Sequence, residues 1–181
     1  QAGARPNRLR PPEAVEPDAD DGLRLLFVGS LDYPPNQEAA LFLVTWLLPL
    51  LERDLPPPWS LTVAGARPPG WLRARLQGRP GLALLADAPT LAPVYAASGV
   101  VLLPVFAGGG IKFKTLEALA HGRAVVASRE AVRGLALQPG RHYLPAETAP
   151  EFAQAVLCLH ADPALRRALA EAGRAWALAQ A

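Results

Sequence analysis

Short apolar runs and amphipathic segments alternate along most of the chain. The apolar runs have the length and composition of buried strands, and they fall at residues 23–29, 60–64, 82–85, 100–103, 124–127 and 142–144. The segments between them carry apolar residues at helical spacing and are separated by turn residues. This order predicts an α/β domain with a parallel sheet of about six strands, covered by helices on both faces.

The helices follow from the same spacing and from residues that favour helix ends. A leucine-rich run predicts a helix that is capped by Asn36 and extends to about residue 53, with a kink or an early end at Pro49. Further helices are predicted at 71–77, 91–97, 113–121, 149–160 and 163–178. The last of them begins with Pro163, which suits the first helical position, behind Asp162 as the cap.

Three successive glycines, 108–110, connect the fourth strand to the helix at 113–121. A backbone without Cβ atoms can approach a ligand closely, and free amides at the start of a helix attract phosphate. Lys112 and Lys114 are the only lysines in the chain, and they add positive charge at this point. Glu117 lies on the same helix face as Lys114, where its carboxylate can accept hydrogen bonds from the hydroxyls of a ribose.

The same residues also fit a plain turn followed by a solvated Lys–Glu pair, which contributes only about 0.3–0.5 kcal/mol. The stretch contains no GxxxxGK[ST] sequence, and no GxGxxG opens the first helix. On the residues alone, a nucleotide or sugar-phosphate site and a purely structural turn both remain open.

The topology indicates where a ligand would bind. In an open parallel sheet, ligands bind beyond the carboxyl ends of the strands. The loops at that edge are predicted at 29–36, 65–70, 86–90, 104–112 and 128–134. We therefore expect the glycines of three of these loops to lie together at one edge of the sheet.

A family resemblance narrows these alternatives. The run GGGIKFKTLEALAHGRAVVAS, residues 108–128, resembles the signature of the group 1 glycosyltransferases, a large retaining family with the GT-B fold, and most closely its bacterial polysaccharide-type members. The segments FVGSLDYPPN, 27–36, and ASGVVLLP, 97–104, are similar to other parts of that family. The resemblance covers about residues 23–176. It implies the C-terminal, donor-binding half of such an enzyme, a Rossmann-like three-layer sandwich.

The resemblance also implies a division of the chain. Residues 1–22, with four prolines and many charges, are expected to be a lead-in from a missing N-terminal domain, and 23–181 the nucleotide-sugar-binding domain. The chain begins with Gln1 and contains no methionine, so we expect it to be part of a longer protein. The acceptor-binding N-terminal domain of the same parent chain is the expected protein partner.

The reaction implied by the family is transfer of a hexose from a nucleotide diphosphate sugar to a glycan or a lipid-linked acceptor, with no metal or other cofactor. Glu117 matches the second glutamate of the family's Glu-x7-Glu pair, which holds the donor ribose. Gly109 stands where many members have the first glutamate, which touches the donor sugar. Lys114 is expected to contact a phosphate or the sugar, so Lys114 and Glu117 are the predicted catalytic residues.

The remaining predicted site residues bind the nucleotide sugar. They are Gly29, Ser30, Gly65, Ala66, Asp87, Ala88, Gly109, Gly110, Ile111, Lys112 and Thr115. Backbone amides of 110–112 would face the diphosphate, and the loops at 65–66 and 87–88 would hold the base or be ordinary turns. Thr115 would bond either a phosphate or its own preceding helix turn.

Composition excludes several other classes. The net charge is +2 and the arginines are scattered, so no nucleic-acid partner is expected. One cysteine allows no disulfide framework within the chain, and the longest apolar stretch is too short to span a bilayer. The three histidines lack metal-ligand spacing, and His121 is expected to be a cation at a helix end. The resemblance implies a cytoplasmic enzyme, or one at the inner face of the membrane with the parent protein peripheral to it.

Two other functions remain open at this stage. A non-catalytic binding or interaction module that kept the Rossmann-like core is favoured by Gly109 and by the loop 32–36, which contains no basic residue. A GT-B nucleotide-sugar epimerase is the other alternative. A complete partner domain in the parent protein would argue against the module, and product analysis would separate the epimerase from a transferase.

Overall fold

The computed structural model describes residues 22–108 and 112–180 of the chain. Most of the expected lead-in and three predicted site residues, Gly109, Gly110 and Ile111, lie outside these ranges. In the described part, six parallel strands form one sheet in the order β3-β2-β1-β4-β5-β6. The strands are β1 Leu23–Val28, β2 Trp59–Gly65, β3 Leu82–Ala86, β4 Val100–Leu103, β5 Ala124–Ala127 and β6 Leu144–Pro145. This confirms the predicted α/β, Rossmann-like class.

Helices cover both faces of this sheet. They are α1 Pro34–Phe42, α2 Leu48–Asp54, α3 Gly70–Arg75, α4 Ala92–Ala96, α5 Phe113–Ala120, α6 Arg129–Val132, α7 Ala149–Ala161 and α8 Pro163–Ala179. None of the helices in the described ranges is both long enough and apolar enough to cross a bilayer.

The side chains of β1 show how the sheet divides the core into two layers. Leu25 and Phe27 belong to one buried cluster, which includes Phe152 of α7. Leu26 and Val28 belong to the other cluster, which includes Tyr95 of α4. Because successive side chains of a strand point to opposite faces, one apolar run packs against helices on both sides.

The first long helix differs from the prediction at its start and at Pro49. It begins at Pro34 behind Tyr33, so Asn36 is not its cap. A π-helical turn, Leu43–Leu47, joins α1 to α2 and is closed by the Leu48 amide on the Leu43 carbonyl. A proline has no N–H to donate, and its ring clashes with the carbonyl four residues earlier. The wider turn directly before Pro49 accommodates that ring, so the helix continues.

Two elements near the C-terminal half also differ. Helix α6 lies inside the loop predicted at 128–134, and β6 is shorter and later than the predicted strand at 142–144. His142 is buried outside that strand, where its Nδ1 accepts the amide of Gln138 at 2.9 Å. The predicted start of α8 is confirmed, because the Asp162 side chain accepts the Leu165 amide at 3.0 Å.

Candidate functional site

The carboxyl edge of the sheet carries a pocket of about 370 Å³, which we call the main pocket. It lies between the loops after β1 and β2 and the first turns of α5. The predicted site residues that line it are Gly29, Ser30, Gly65, Ala66, Ala88, Lys114 and Glu117. The structure therefore brings together, around one pocket, residues that come from four separate segments of the sequence.

A smaller pocket of about 80 Å³, the side pocket, adjoins the main one. Lys112 and Thr115 line it, as does Gly108. Asn36 and Lys114 line both pockets, so these two side chains form the boundary between them.

The absence of side chains at Gly29 and Gly65 brings the ends of β1 and β2 close together. A Cβ atom on Gly65 would lie 1.9 Å from the Gly29 carbonyl oxygen, and one on Gly29 would lie 2.7 Å from Cγ of Asn36. A backbone hydrogen bond also joins the ends of these two strands, since the Gly29 amide donates to the Ala64 carbonyl at 3.0 Å. These two positions therefore shape the floor of the main pocket.

Lys114 is held by an amide and not by a carboxylate. Its Nζ donates to Oδ1 of Asn36 at 2.6 Å and lies 6.0 Å from the centre of the Phe27 ring. Burial lowers the pKa of Lys114, and the nearby positive charge of Lys112 lowers it further. Burial and the charge of Lys112 both disfavour the charged form of Lys114. An anionic ligand would offset both effects, because it supplies the opposite charge.

The other lysine has a different environment. Lys112 Nζ donates to the Gly108 carbonyl at 3.0 Å and pairs with Oε1 of Glu130 in α6 at 3.2 Å. Arg133 reaches the same oxygen of Glu130 at 3.0 Å, and hydrogen bonding to Lys112 is the main reason that the pKa of Glu130 is lowered. The charge of Lys112 is thus partly balanced within the protein.

Glu117 lies on α5 one turn beyond Lys114 and accepts a long hydrogen bond, 3.4 Å, from the hydroxyl of Tyr95. Burial raises the pKa of Glu117, and the Tyr95 hydroxyl partly offsets that effect. Tyr95 is itself fully buried, and its ring stacks on His121 at 4.4 Å between centroids and 12° between planes. The Glu117 carboxylate therefore contacts the Tyr95 hydroxyl on one side and lines the main pocket on the other.

The expected cationic role of His121 at the end of α5 is wrong. Burial lowers the pKa of His121, and the charge of Arg123 lowers it further. A neutral imidazole suits its position, because the ring lies flat on the buried Tyr95 ring.

The raised pKa of Glu117 predicts a pH-dependent stability. Because the pKa is higher in the folded than in the unfolded state, the carboxyl group's favourable contribution is present at acidic pH and is lost as the pH rises through the folded pKa. We expect Glu117→Gln to match the wild type near pH 4 and to be the more stable of the two at pH 7. The gain should stay below about 1 kcal/mol, since solvent screens a half-buried group. Thermal unfolding across pH measures this difference in stability, with the exposed Glu171→Gln on α8 as control. Equal stability of the wild type and Glu117→Gln at all pH values would contradict the prediction.

The side chains of Thr115 and Asp87 form hydrogen bonds to the protein backbone. The Thr115 hydroxyl is buried and donates to the Ala131 carbonyl at 2.6 Å, so it has no proton left for a phosphate. Oδ1 of Asp87 accepts the backbone amide of Arg67 at 2.8 Å. Both residues fix the loops around the pockets through these bonds.

Arg67 supplies a base beside the loop 32–36, which has none of its own. Its Nε donates to Oδ2 of Asp32 at 2.6 Å, and its backbone adopts a φ of 52°. Both side chains are largely exposed, so solvent screens the pair and it contributes little to stability. Together with the bond to Asp87, it ties the loops after β1, β2 and β3 to one another.

Asn36 and Tyr95 are the site residues that the sequence did not reveal. Asn36 fits a helix cap, which is a common role for asparagine before an apolar run. Tyr95 fits the apolar pattern of a short helix. Each carries a polar atom that needs a partner once it is buried, and this is the signal that could have found them.

No group of three or more histidine, cysteine, aspartate or glutamate side chains comes together as a metal site in the residues that the structure covers. What the site offers instead is a cation beside a helix N-terminus, an opposed carboxylate and a glycine floor. This arrangement lies at the carboxyl edge of a doubly wound parallel sheet, the place where such folds bind their ligands.

The comparison with known families identifies the class. Residues 22–162 match the family described as glycosyl transferases group 1, and the chain belongs to that family. The resemblance noted in the sequence is thereby confirmed. The comparison with curated protein sequences gave no significant match.

Solved structures show the same fold. The C-terminal domain of a glycosyl transferase group 1 family protein, LpcC, from Francisella tularensis superimposes with a TM-score of 0.70 at 16% identity, over 92% of this chain and 95% of that one. Anabaena HepE in complex with UDP-glucose gives 0.70 at 17%, over 87% and 44%. Sucrose-phosphate synthase from Thermosynechococcus elongatus gives 0.67 at 22%, over 88% and 41%. This chain therefore spans less than half the length of the latter two proteins.

Proposed function

We propose that this chain is the donor-binding domain of a retaining glycosyltransferase. The enzyme would move a hexose from a nucleotide diphosphate sugar to a glycan or a lipid-linked acceptor, and it would need no metal. The observation that carries the proposal is the placement of Lys114 and Glu117 on neighbouring turns of α5, facing one pocket at the carboxyl edge of the sheet. Anabaena HepE, which has the same fold, is a complex with UDP-glucose, and this supports the donor class.

The reaction would depend on electrostatic stabilisation. When the bond between the sugar and the diphosphate breaks, negative charge grows on the departing diphosphate. The Lys114 ammonium and the positive end of the α5 dipole would stabilise that charge, because both favour an anion at this point. The Glu117 carboxylate, open to the main pocket, would accept the ribose hydroxyls and hold the nucleoside in place.

The rest of the catalytic cleft would come from a second domain of the parent protein. HepE and sucrose-phosphate synthase are both more than twice the length that this chain covers, which leaves room for such a domain. Phe113 lines the main pocket and its side chain is 67% exposed, as suits a surface that another domain covers. We propose that the isolated domain is inactive or nearly so, and that the parent enzyme works in the cytoplasm or at the inner face of the membrane.

Nucleotide binding tests this function directly. Calorimetric titration of the domain with UDP, GDP and ADP should show one preferred nucleotide, in the micromolar to millimolar range. Glu117→Ala should weaken that binding about tenfold or more, because hydrogen bonds to a charged group contribute about 1.5–3 kcal/mol. Glu171→Ala, an exposed carboxylate on α8, should leave it unchanged. Failure of all three nucleotides to bind both this domain and the full-length parent would contradict the proposal.

A further inference from the structure

Asn36 connects the loop after β1 to the start of α5. The residue lies in the first turn of α1 and is 4% exposed. Its Nδ2 donates to the Ser30 carbonyl at 2.8 Å, and its Oδ1 accepts the Lys114 ammonium at 2.6 Å. Both ends of the amide are therefore in use, one on each of the two segments.

These partners fix which way the amide faces. A carbonyl can only accept and an ammonium can only donate, so Nδ2 must face Ser30 and Oδ1 must face Lys114. The opposite orientation would place donor against donor and acceptor against acceptor. Pro34 and Pro35 precede the residue and restrict the backbone that carries it. The acceptor is thus held in one position before any ligand arrives.

The space that Asn36 fills is available because residue 29 is glycine. A Cβ at that position would lie between 2.7 and 2.9 Å from the carbon, nitrogen and oxygen of the Asn36 amide. The amide consequently lies directly against the end of β1 and behind the main pocket. From there it places the Lys114 ammonium at the boundary shared by the main and side pockets.

The Asn36 amide is uncharged, and this affects Lys114 as much as the position of the amide does. Lys112 is paired with the carboxylate of Glu130, whereas Lys114 has a neutral acceptor as its hydrogen-bond partner. A carboxylate at position 36 would cancel the Lys114 charge and repel an incoming anion at short range. An amide orients the ammonium and leaves its full charge for the ligand.

We propose that Asn36 is a positioning residue for donor binding: its amide holds the Lys114 ammonium at the boundary of the two pockets as a neutral acceptor, so that the charge is directed at the diphosphate. The proposal rests on the proposed function for its ligand. It adds a residue that acts through Lys114. Exchange for aspartate replaces the neutral acceptor by a charged one and also removes the Nδ2 donor to the Ser30 carbonyl; exchange for serine removes the same Nδ2 donor without adding charge, so the difference between the two variants reports the charge.

The test compares UDP with uridine on Asn36 variants. Asn36→Asp should weaken UDP binding about tenfold or more and leave uridine binding unchanged, because only the diphosphate faces Lys114. Asn36→Ser, which is neutral but too short to reach the ammonium, should weaken UDP binding severalfold, again without effect on uridine. Gln37→Glu, which adds the same charge one residue further along the helix, is the matched control and should change UDP binding less than twofold.

A second readout does not need a nucleotide. Since the chain has two lysines, a lysine-labelled NMR spectrum should contain two side-chain signals, and Lys112→Arg assigns them. The Lys114 signal should titrate at higher pH in Asn36→Asp than in the wild type. Unchanged titration, or equal losses of UDP and uridine binding in both Asn36 variants, would overturn the inference. If neither the wild-type domain nor the full-length parent binds a nucleotide, the proposed function fails, and the lysine titration alone decides whether Asn36 controls Lys114.

Discussion

Replacing Lys114 by methionine should weaken nucleotide diphosphate binding by about 10–100-fold, the largest functional effect that we expect from one side chain. The reason is the loss of a charge-assisted contact that contributes about 1.5–3 kcal/mol, of which about 1.4 kcal/mol corresponds to each tenfold change. Methionine keeps most of the volume of the lysine side chain, so the packing against Phe27 should survive. Titration with UDP and with uridine measures the effect, and uridine affinity should stay the same.

Lys112→Met is the matched comparison for Lys114→Met. It removes the same charge two residues away, but from a lysine whose ammonium is already paired with Glu130, and it keeps the backbone amide. We therefore expect a much smaller loss of UDP affinity, below about fivefold, which corresponds to about 1 kcal/mol. Equal losses in the two variants would show that general positive charge, and not the placement of Lys114, governs binding.

The second large effect concerns stability. Gly65→Ala should lower the free energy of unfolding by about 3 kcal/mol, the upper end of the usual range for overpacking. The new Cβ would lie 1.9 Å from a backbone oxygen of Gly29, so the strands β1 and β2 themselves must move. For a domain of this size, the melting temperature should fall by about 6–12 °C.

Gly70→Ala is the control for this prediction. Gly70 begins α3, and a Cβ there meets no atom within 4 Å, so we expect little change or a slight stabilisation. Thermal unfolding of the two variants side by side separates the clash from the general effect of adding a methyl group. A Gly65→Ala protein as stable as Gly70→Ala would mean that the ends of β1 and β2 are looser than this structure has them.

The fold was largely predictable because its signals are local. β4 and β5 occur within the residues predicted, since both are short runs of apolar, mostly β-branched or leucine side chains between clear turn residues. The start of α8 was predicted for the same reason, because an aspartate followed by a proline marks a helix start. The edges were less predictable: β6 pairs with β5 over two residues and depends on that neighbour more than on its own sequence.

The site was predictable only in part. Lys114 and Glu117 could be singled out because their spacing on one helix face carries a chemical meaning, and the structure places both at one pocket. The partners of these residues were missed because they come from distant segments. Lys114 bonds a residue 78 positions away, Glu117 one 22 away, and Arg67 pairs with Asp32 at a separation of 35. No pattern within a short window indicates such pairs.

The sheet order has a consequence for how the domain acquires its binding competence. β1 and β4 are neighbours in space, but two other strands and four helices lie between them in the chain. The bond between Asn36 and Lys114 bridges that junction, so it can form only after the two parts of the chain have come together. Contacts of such long sequence separation are slow to form. Nucleotide affinity should therefore appear late in refolding. A bound nucleotide should stabilise the junction between β1 and β4, so nucleotide binding reports when the fold is complete.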